Sequence, residues 1–330
     1  MRKKFDSYRR ALLAAGMAAT AIAAATVATR AAAAEFPSRP ITIEIPYPPG
    51  GTADAIARPL AVDLGKRLGV PVILDYKGGA GGAIATQYVA KATPDGYTLV
   101  MILAAHAINP SLYKKLPYDS EKDFAPVSMV ARLPLVLYTN PQFGPKTVPE
   151  LIEYAKKNPG QLSFGSAGSG NTSHLAGELF ASTAGVKMLH IPYKGGGPSI
   201  TAAIGGEIPS VFAGPDSLGM AKAGRLHAVA VTSLERSPLI PDVPAIAETL
   251  KGFEVYGWYG LMAPAGTPKD VIAKLNTEVG AVLKDPAFKK IVEALGYIPT
   301  GSTPAEFGSF VQNETKRWAE VVRKADIKLE

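Results

Sequence analysis

The chain has 330 residues, with 35 Lys and Arg against 28 Asp and Glu, and it contains no cysteine. This length suits one large or two medium domains, and 47% hydrophobic with 19% charged residues is a globular composition. The missing cysteines exclude disulfides, cysteine-ligated zinc, iron–sulfur clusters and thiol nucleophiles.

The first 34 residues have the layout of a secretory signal peptide. Five basic side chains lie within residues 2–10, an alanine-rich apolar run covers 11–29, and four alanines end at Ala34. We predict cleavage after Ala34 and a periplasmic protein, by Sec or twin-arginine export; an uncleaved membrane anchor is the alternative. Cleavage removes six basic residues and one acidic residue, which leaves 29 against 27. That balance gives no electrostatic case for nucleic acid.

After Pro37, strand-like and helix-like stretches alternate. Strands are predicted at 41–47, 72–76 and 98–103, and helices at 52–68 and 82–92. This βαβαβ order predicts a parallel sheet flanked by helices.

The same rhythm continues to the C-terminus. The predicted helices are 149–157, 171–184, 199–205, 218–224, 269–284, 286–295 and 304–325, and the predicted strands are 162–165, 189–193, 209–213, 226–232 and 255–262.

Two segments are predicted to connect two α/β lobes. The apolar stretch 126–139 has Pro134 in its middle, and 237–251 contains three prolines. We predict that 35–132 plus 241–330 form one lobe and 133–240 the other. Each would be a mainly parallel sheet flanked by helices, with a ligand cleft between the lobes. One continuous doubly wound sheet is the alternative.

Three glycine-rich loops follow predicted strands and open predicted helices, at 48–54, 166–172 and 194–199. Glycine allows close approach of the backbone, and a helix N-terminus offers unpaired N–H groups at the positive end of the helix dipole. Together the loops favour an anion site at the carboxyl ends of the strands.

The predicted ligand contacts come mostly from these loops. They are Pro48, Gly50, Gly51, Thr52, Ala53 and Asp54, then Ser166, Ala167, Gly168, Gly170, Asn171 and Thr172, then Lys194 and Gly195. Asn171 is also the predicted N-cap of its helix.

Other side chains have two interpretations each. His106 and His174 are candidate neutral donors to a ligand, or structural histidines. Asp216 is a candidate counter-charge for a ligand ammonium, or an acidic residue at a helix N-terminus. The aromatic segment 256–260 is interpreted as core or hinge packing, with an aromatic cleft wall as the alternative.

Motifs for other functions are incomplete. The sequence lacks a P-loop and a full dinucleotide fingerprint, and its four histidines show no metal spacing. Residues 164–168 resemble a nucleophile elbow, but Phe164 stands where the first glycine belongs. No cofactor or metal is expected. The competing function is a secreted hydrolase that uses Ser166 or Ser169 with His174.

Short motifs follow one another in a fixed order from Pro37 to the C-terminus. They are YPPGGTAD at 47–54, GAGG at 79–82, PDGYTL at 94–99, GSAGSG at 165–170 continuing to HL at 174–175, PYKG at 192–195, PDVP at 241–244, WYGL at 258–261 and APAGTP at 263–268. In this order and spacing, the chain resembles the Bug-type periplasmic receptors of tripartite tricarboxylate transporters.

The resemblance implies a two-lobed, type II periplasmic binding protein without enzymatic activity. It would close on a small organic carboxylate, held between 48–54 and 166–172, and deliver it to an inner-membrane permease. It also implies that Ala105 and His106, after the third strand, face the cleft. Two stretches depart from the family pattern: DYKG at 75–78, and the alanines at 104–105 in place of small hydroxyl residues. We expect a monomer. A periplasmic sensor for a signalling partner is a further alternative, and the identities of the carboxylate and the permease stay open.

Overall fold

The computed structural model describes residues 36–238, 240–324 and 327. The chain divides into two units, 1–38 and 39–330. Only Phe36, Pro37 and Ser38 of the first unit are described, so the predicted signal peptide and its cleavage site lie outside the described residues. The fold below is that of residues 39–330.

The elements alternate as the sequence patterns predict. In chain order they are β1 (Ile41–Ile45), α1 (Thr52–Leu68), β2 (Val72–Tyr76), α2 (Ala83–Ala90), β3 (Thr98–Leu103), α3 (Ala105–Leu112), β4 (Phe124–Pro134), β5 (Val136–Thr139), α4 (Val148–Lys157), β6 (Ser163–Ser166), α5 (Thr172–Ala184), β7 (Leu189–Pro192), α6 (Gly196–Gly205), β8 (Ser210–Ala213), α7 (Leu218–Lys222), β9 (His227–Val231), β10 (Tyr256–Pro264), α8 (Lys269–Lys284), α9 (Pro286–Ala294), β11 (Ile298–Pro299) and α10 (Pro304–Lys324). Short 3₁₀ turns lie at Ala80–Gly82, Pro215–Ser217 and Ile246–Glu248.

The strands form two sheets. One has six strands in the order β11–β4–β10–β3–β1–β2, and the other has five in the order β7–β6–β8–β5–β9. Both are mixed, which corrects the prediction of mainly parallel sheets. β1 is parallel to β2 and β3, whereas β10 is antiparallel to β3 and β4. The reason is the connection between the sheets: β4 leads out of the first sheet into β5, and β10 brings the chain back in the opposite direction.

Local sequence signals explain the best-predicted elements. α1 buries the stripe Ile56, Leu60 and Leu64, which recurs every four residues, and it ends at Gly69 in the left-handed conformation. The Asn171 side chain accepts a hydrogen bond from the Ser173 N–H, so the predicted N-cap of α5 is confirmed.

The prediction missed three features. It assigned neither helix α3 nor strand β11, and the stretch 126–139 contains two strands, one from each sheet. The fold is α/β as predicted, with two sheets flanked by helices. The proposed lobe boundaries at 132 and 240 stay a prediction.

Candidate ligand-binding site

A cavity of about 330 Å³ is lined by residues from both sheets. Its lining divides into loop residues that open helices and residues from the ends of strands. The loop residues are Pro48, Pro49, Gly50, Gly51, Thr52, Ala53, Ala167, Asn171, Thr172, Ser173, Lys194, Gly195, Gly196, Gly197 and Pro198, and the remaining residues are Tyr47, Leu103, Leu133, Leu135, Phe212, Ala213, Gly214, Gly257, Trp258 and Tyr259.

All three glycine-rich loops reach this one cavity. The first residues of α1, α5 and α6, namely Thr52, Thr172 and Gly196, line it. The N–H groups in the first turn of a helix have no partner within that helix, and they carry the positive end of its dipole. Three such ends around one cavity create a positive environment that depends little on charged side chains.

Asp54 holds the first loop in shape instead of facing the cavity. Its carboxylate accepts hydrogen bonds from the Gly50 N–H (2.8 Å), the Tyr76 hydroxyl (2.5 Å) and the Arg58 Nε (2.9 Å). Burial opposes ionisation, but these bonds keep the pKa of Asp54 below its usual value. Gly50 has a φ of +83°, a conformation that favours glycine. The anchored loop leaves Gly51, Thr52 and Ala53 on the cavity surface.

The serine-rich loop uses most of its own donors internally. The Ala167 N–H donates to Ser173 Oγ (2.9 Å), the Gly168 N–H to Ser166 Oγ (3.1 Å) and the Gly170 N–H to His174 Nδ1 (3.2 Å). Our expectation that N–H groups throughout this loop face an anion therefore needs revision. The donor left at its end is the Thr172 N–H, in the first turn of α5.

The third loop has open space around its three glycines. Gly195 has a φ of +114°, and added Cβ atoms at Gly195, Gly196 and Gly197 would meet nothing within 4 Å. Lys194, which is exposed, precedes them on the cavity rim. This loop thus offers both backbone donors and a cationic side chain.

One hydrogen bond joins the two sheets' loops beside the cavity. The Asn171 Nδ2 donates to the Tyr47 hydroxyl, 3.2 Å away. Tyr47 follows β1 in the six-stranded sheet, and Asn171 follows β6 in the five-stranded sheet. The bond is therefore a direct tie between the two parts of the fold that enclose the cavity.

Several predicted residues lie outside the cavity lining. Ala105 and His106 belong to the first turn of α3 and are buried. His106 Nε2 lies 2.9 Å from the Ser120 carbonyl, and its ring packs against Phe124 and Tyr118. Because α3 starts directly after β3, these residues turn into the core. Burial lowers the pKa of His106 to about 4.

Ser166 and His174 are also structural. Ser166 is fully buried, and its Oγ lies 2.6 Å from His190 Nε2. The His174 ring stacks on His190 at 3.8 Å, and burial together with His174 lowers the pKa of His190 to about 3. The partner of Ser166 is thus a neutral histidine, but a different one from the His174 of the hydrolase hypothesis.

Asp216 and the remaining glycines border the site. Asp216 is exposed as a residue in the turn Pro215–Ser217, but its carboxylate turns inward beside Gly214, which lines the cavity, and burial raises the pKa of this carboxyl group to about 6. Gly168 and Gly170 have φ values of +123° and +78°, so they permit the turns of the serine-rich loop, but they do not line the cavity.

The sequence reasoning missed the strand-end wall. Leu103, Leu133, Leu135 and Phe212 are at most 9% exposed, so in the sequence they look like any core residue. Their position at strand ends that face the glycine loops was the available signal, because open sheets bind ligands there.

Two features of other protein classes are absent from the described residues. In residues 36–238, 240–324 and 327, no three acidic, histidine or cysteine side chains are grouped as metal ligands would be. Within the same ranges, no helix combines the length and hydrophobicity needed to cross a bilayer.

Comparison with known proteins gives consistent matches over nearly the whole fold. A family model described as "Tripartite tricarboxylate transporter family receptor" matches residues 56–327. Protein BugT of Bordetella pertussis is 38% identical over 294 residues, which cover 88% of this chain and 90% of BugT. The structure of R. palustris Rpa4515 with adipate is 34% identical with a TM-score of 0.86, and the match covers 89% of this chain and 99% of that one. The structure of MatC from Rhodopseudomonas palustris with bound malate is 33% identical with a TM-score of 0.82, over 87% of this chain and 100% of MatC.

Proposed function

Because the chain belongs to the family of tripartite tricarboxylate transporter receptors, we propose that it captures a small carboxylate in the periplasm. It then delivers this ligand to the inner-membrane permease of such a transporter. The predicted Bug-type family and the two-lobed α/β class of binding protein are confirmed. The carboxylate and the permease that this chain uses are the parts that we propose.

The convergence of three helix N-termini on one cavity carries the proposal. Thr52, Thr172 and Gly196 begin α1, α5 and α6, and all three line the cavity together with the cationic Lys194. Such an arrangement binds an anion without needing a metal. Relatives with adipate and malate in their structures support a carboxylate as that anion.

The carboxylate would lie between the N-termini of α1 and α6. The N–H groups of Thr52 and Ala53 on one side, and of Gly196 and Gly197 on the other, belong to first turns that line the cavity. We place less weight on the serine-rich loop because Ala167, among others, donates within its own loop.

A binding role without catalysis fits the buried Ser166. A nucleophile must reach its substrate, and Ser166 is fully buried with its hydroxyl paired to His190. His174, the base suggested for Ser166 or Ser169, is itself buried and accepts from the Gly170 N–H. We therefore favour the receptor over the hydrolase. A sensor that reports ligand to a signalling partner would use the same cavity and stays an alternative.

The periplasmic location is a property of the family's binding proteins, and we propose that this chain arrives there by cleavage after Ala34. Mass spectrometry of the periplasmic fraction is expected to give a mature chain that starts at Glu35. A full-length chain held in the inner membrane would contradict the cleavage.

The test of the function is ligand binding by the mature protein. Isothermal titration with mono-, di- and tricarboxylates, each beside its amide, is expected to show at least one carboxylate that binds about tenfold or more tighter than its amide. The reason is that a hydrogen bond to a charged group contributes about 1.5–3 kcal/mol. Equal affinity for every acid and its amide would remove the carboxylate hypothesis.

A further inference from the structure

One wall of the cavity is formed by apolar side chains at strand ends. Leu103 ends β3, Leu133 and Leu135 lie where β4 passes into β5, and Phe212 lies in β8. Leu133 and Phe212 are each 1% exposed. These residues come from the strands, whereas the glycine loops lie at the starts of helices.

The strand register gives this wall its shape. β10 pairs Tyr259 with Leu103 and Gly257 with Leu133. An added Cβ at Gly257 would lie 2.9 Å from Leu133 Cδ2, so the glycine leaves room for the leucine side chain. Trp258, on the opposite face, donates from its indole nitrogen to Glu314 inside the core. Gly257 therefore allows Leu133 to pack closely against β10.

Five of the polar side chains around the cavity are hydrogen-bonded within the protein. Asn171 donates to Tyr47, and Tyr259 donates to Thr52 Oγ1 at 2.6 Å. Ser173 Oγ donates to Asn171 Oδ1 and accepts from the Ala167 N–H. Each of these five side chains therefore has at least one hydrogen-bond partner within the protein.

The charged groups of the lining are confined to one region. Among the described lining residues, Lys194 is the only one with a charged side chain, and it lies on the exposed rim with the N-terminus of α6. A carboxylate held at the helix N-termini is well supplied with donors. A second carboxylate against Leu103, Leu133 or Phe212 would lose its water without gaining a hydrogen bond, which is strongly unfavourable.

Resting on the proposed function, we infer that the ligand is a monocarboxylate with a hydrocarbon body, and that the apolar wall selects it over dicarboxylates. Its carboxylate meets the N-termini of α1 and α6, and its body packs against Leu103, Leu133 and Phe212. The cavity of about 330 Å³ is roughly twice the ~150 Å³ apolar cavity that holds a benzene molecule. A body of about six carbons therefore fits beside the carboxylate.

Hexanoate and adipate test the inference, because they differ only in the second carboxylate. Isothermal titration of the mature wild-type protein is expected to show hexanoate binding at least about tenfold tighter than adipate, a factor that corresponds to about 1.4 kcal/mol. Benzoate, which carries a six-carbon ring, is expected to bind as well. This comparison needs no variant, so a folding failure cannot obscure it.

Two leucine substitutions then locate the selection. Leu103→Asn adds an amide donor to the wall and is expected to reduce the hexanoate preference about tenfold. Leu234→Asn makes the same chemical change at a side chain that is 48% exposed and outside the lining, so it should leave both affinities unchanged. Phe212→Leu, which keeps the wall apolar, should weaken hexanoate while preserving the preference.

Each result separates this inference from the proposed function. Adipate binding as tightly as hexanoate, or tighter, overturns the inference and leaves the carboxylate receptor standing. The same conclusion follows if malate binds while hexanoate and benzoate do not. Hexanamide binding as tightly as hexanoate overturns the charged contact in this inference, and the proposed function falls with it only if every other acid also binds no tighter than its amide. If Leu103→Asn leaves the preference for hexanoate over adipate unchanged, another part of the cavity makes the selection and the role of this apolar wall is refuted.

Discussion

The N-terminus of α6 allows backbone donation to be tested with two substitutions at one position. Gly196 is the first helical residue, and an added Cβ there meets nothing within 4 Å. Gly196→Pro removes the N–H, whereas Gly196→Ala keeps it. Proline is favoured at the first position of a helix, and the preceding Gly195, at φ +114° and ψ 170°, lies outside the α region that a following proline disfavours.

The expected loss follows from the strength of the bond that is removed. A hydrogen bond to a charged group contributes about 1.5–3 kcal/mol, so Gly196→Pro should weaken carboxylate binding about 10- to 150-fold. Proline at a compatible position stabilises a protein by about 0.4–1 kcal/mol. The proline variant should therefore melt no lower than the alanine variant, and its binding loss cannot come from unfolding.

Titration with hexanoate and adipate, together with thermal melting, measures both effects. Gly196→Ala should retain the wild-type dissociation constants, because its N–H and its open surroundings are unchanged. If Gly196→Pro binds both acids as tightly as Gly196→Ala, the N-terminus of α6 is not part of the anion site. The carboxylate would then have to be assigned to α1 and α5 alone.

Three further outcomes are expected. Gly51→Val should weaken carboxylate binding at an unchanged melting temperature, because its added Cβ has no neighbour nearer than 3.7 Å. Gly168→Val should lower the melting temperature, because φ is +123° and the Cβ would lie 3.3 Å from a carbonyl oxygen. Equal melting temperatures of the two variants would contradict this. Tyr47→Phe removes the hydrogen bond to Asn171, which is worth about 0.5–1.5 kcal/mol. Small-angle scattering with saturating hexanoate and adipate should then show less compaction than in wild type. Unchanged compaction would refute a role of this hydrogen bond in joining the two sheets. Burial lowers the pKa of His106 from 6.5 to about 4, so the unfolded chain binds a proton first as the pH falls, and His106 should contribute a loss of up to about 3 kcal/mol to the unfolding free energy between pH 6.5 and 4. His190, whose pKa is lowered to about 3, adds a loss in the same range. In urea unfolding His106→Gln should therefore reduce the slope without abolishing it, and an equally steep slope would exclude His106 as a source.

Helix periodicity and capping residues could be predicted from the sequence where they act locally. The repeat of Ile56, Leu60 and Leu64 predicts α1 with the bounds that it has, and Asn171 is the cap that was expected. Helix α3 escaped prediction because its eight residues include Pro110 and show no clear apolar repeat. Its helical state depends on packing in the core around the buried Ile108, which no local pattern reveals.

The glycine loops of the candidate site could be predicted from the sequence, whereas the hydrogen bonds within the serine-rich loop could not. The three glycine loops predict that the backbone can approach a ligand closely, and residues of all three loops line the cavity. The sequence does not show that Ser166 and Ser173 accept hydrogen bonds from their own loop. Those contacts depend on the loop's three-dimensional path, so the number of N–H groups available to a ligand was overestimated.

The antiparallel return of β10 explains why the aromatic segment had two interpretations. Because β10 runs against β3 and β4, its first residues lie at the edge where those strands end, and this edge borders the cavity. Successive side chains of a strand point to opposite faces. Tyr259 reaches Thr52 at the N-terminus of α1, whereas Trp258 bonds to Glu314 in the core. A fully parallel strand in this place would bring its last residues to the edge, so the mixed sheet is what places a tyrosine and a glycine beside the leucine wall.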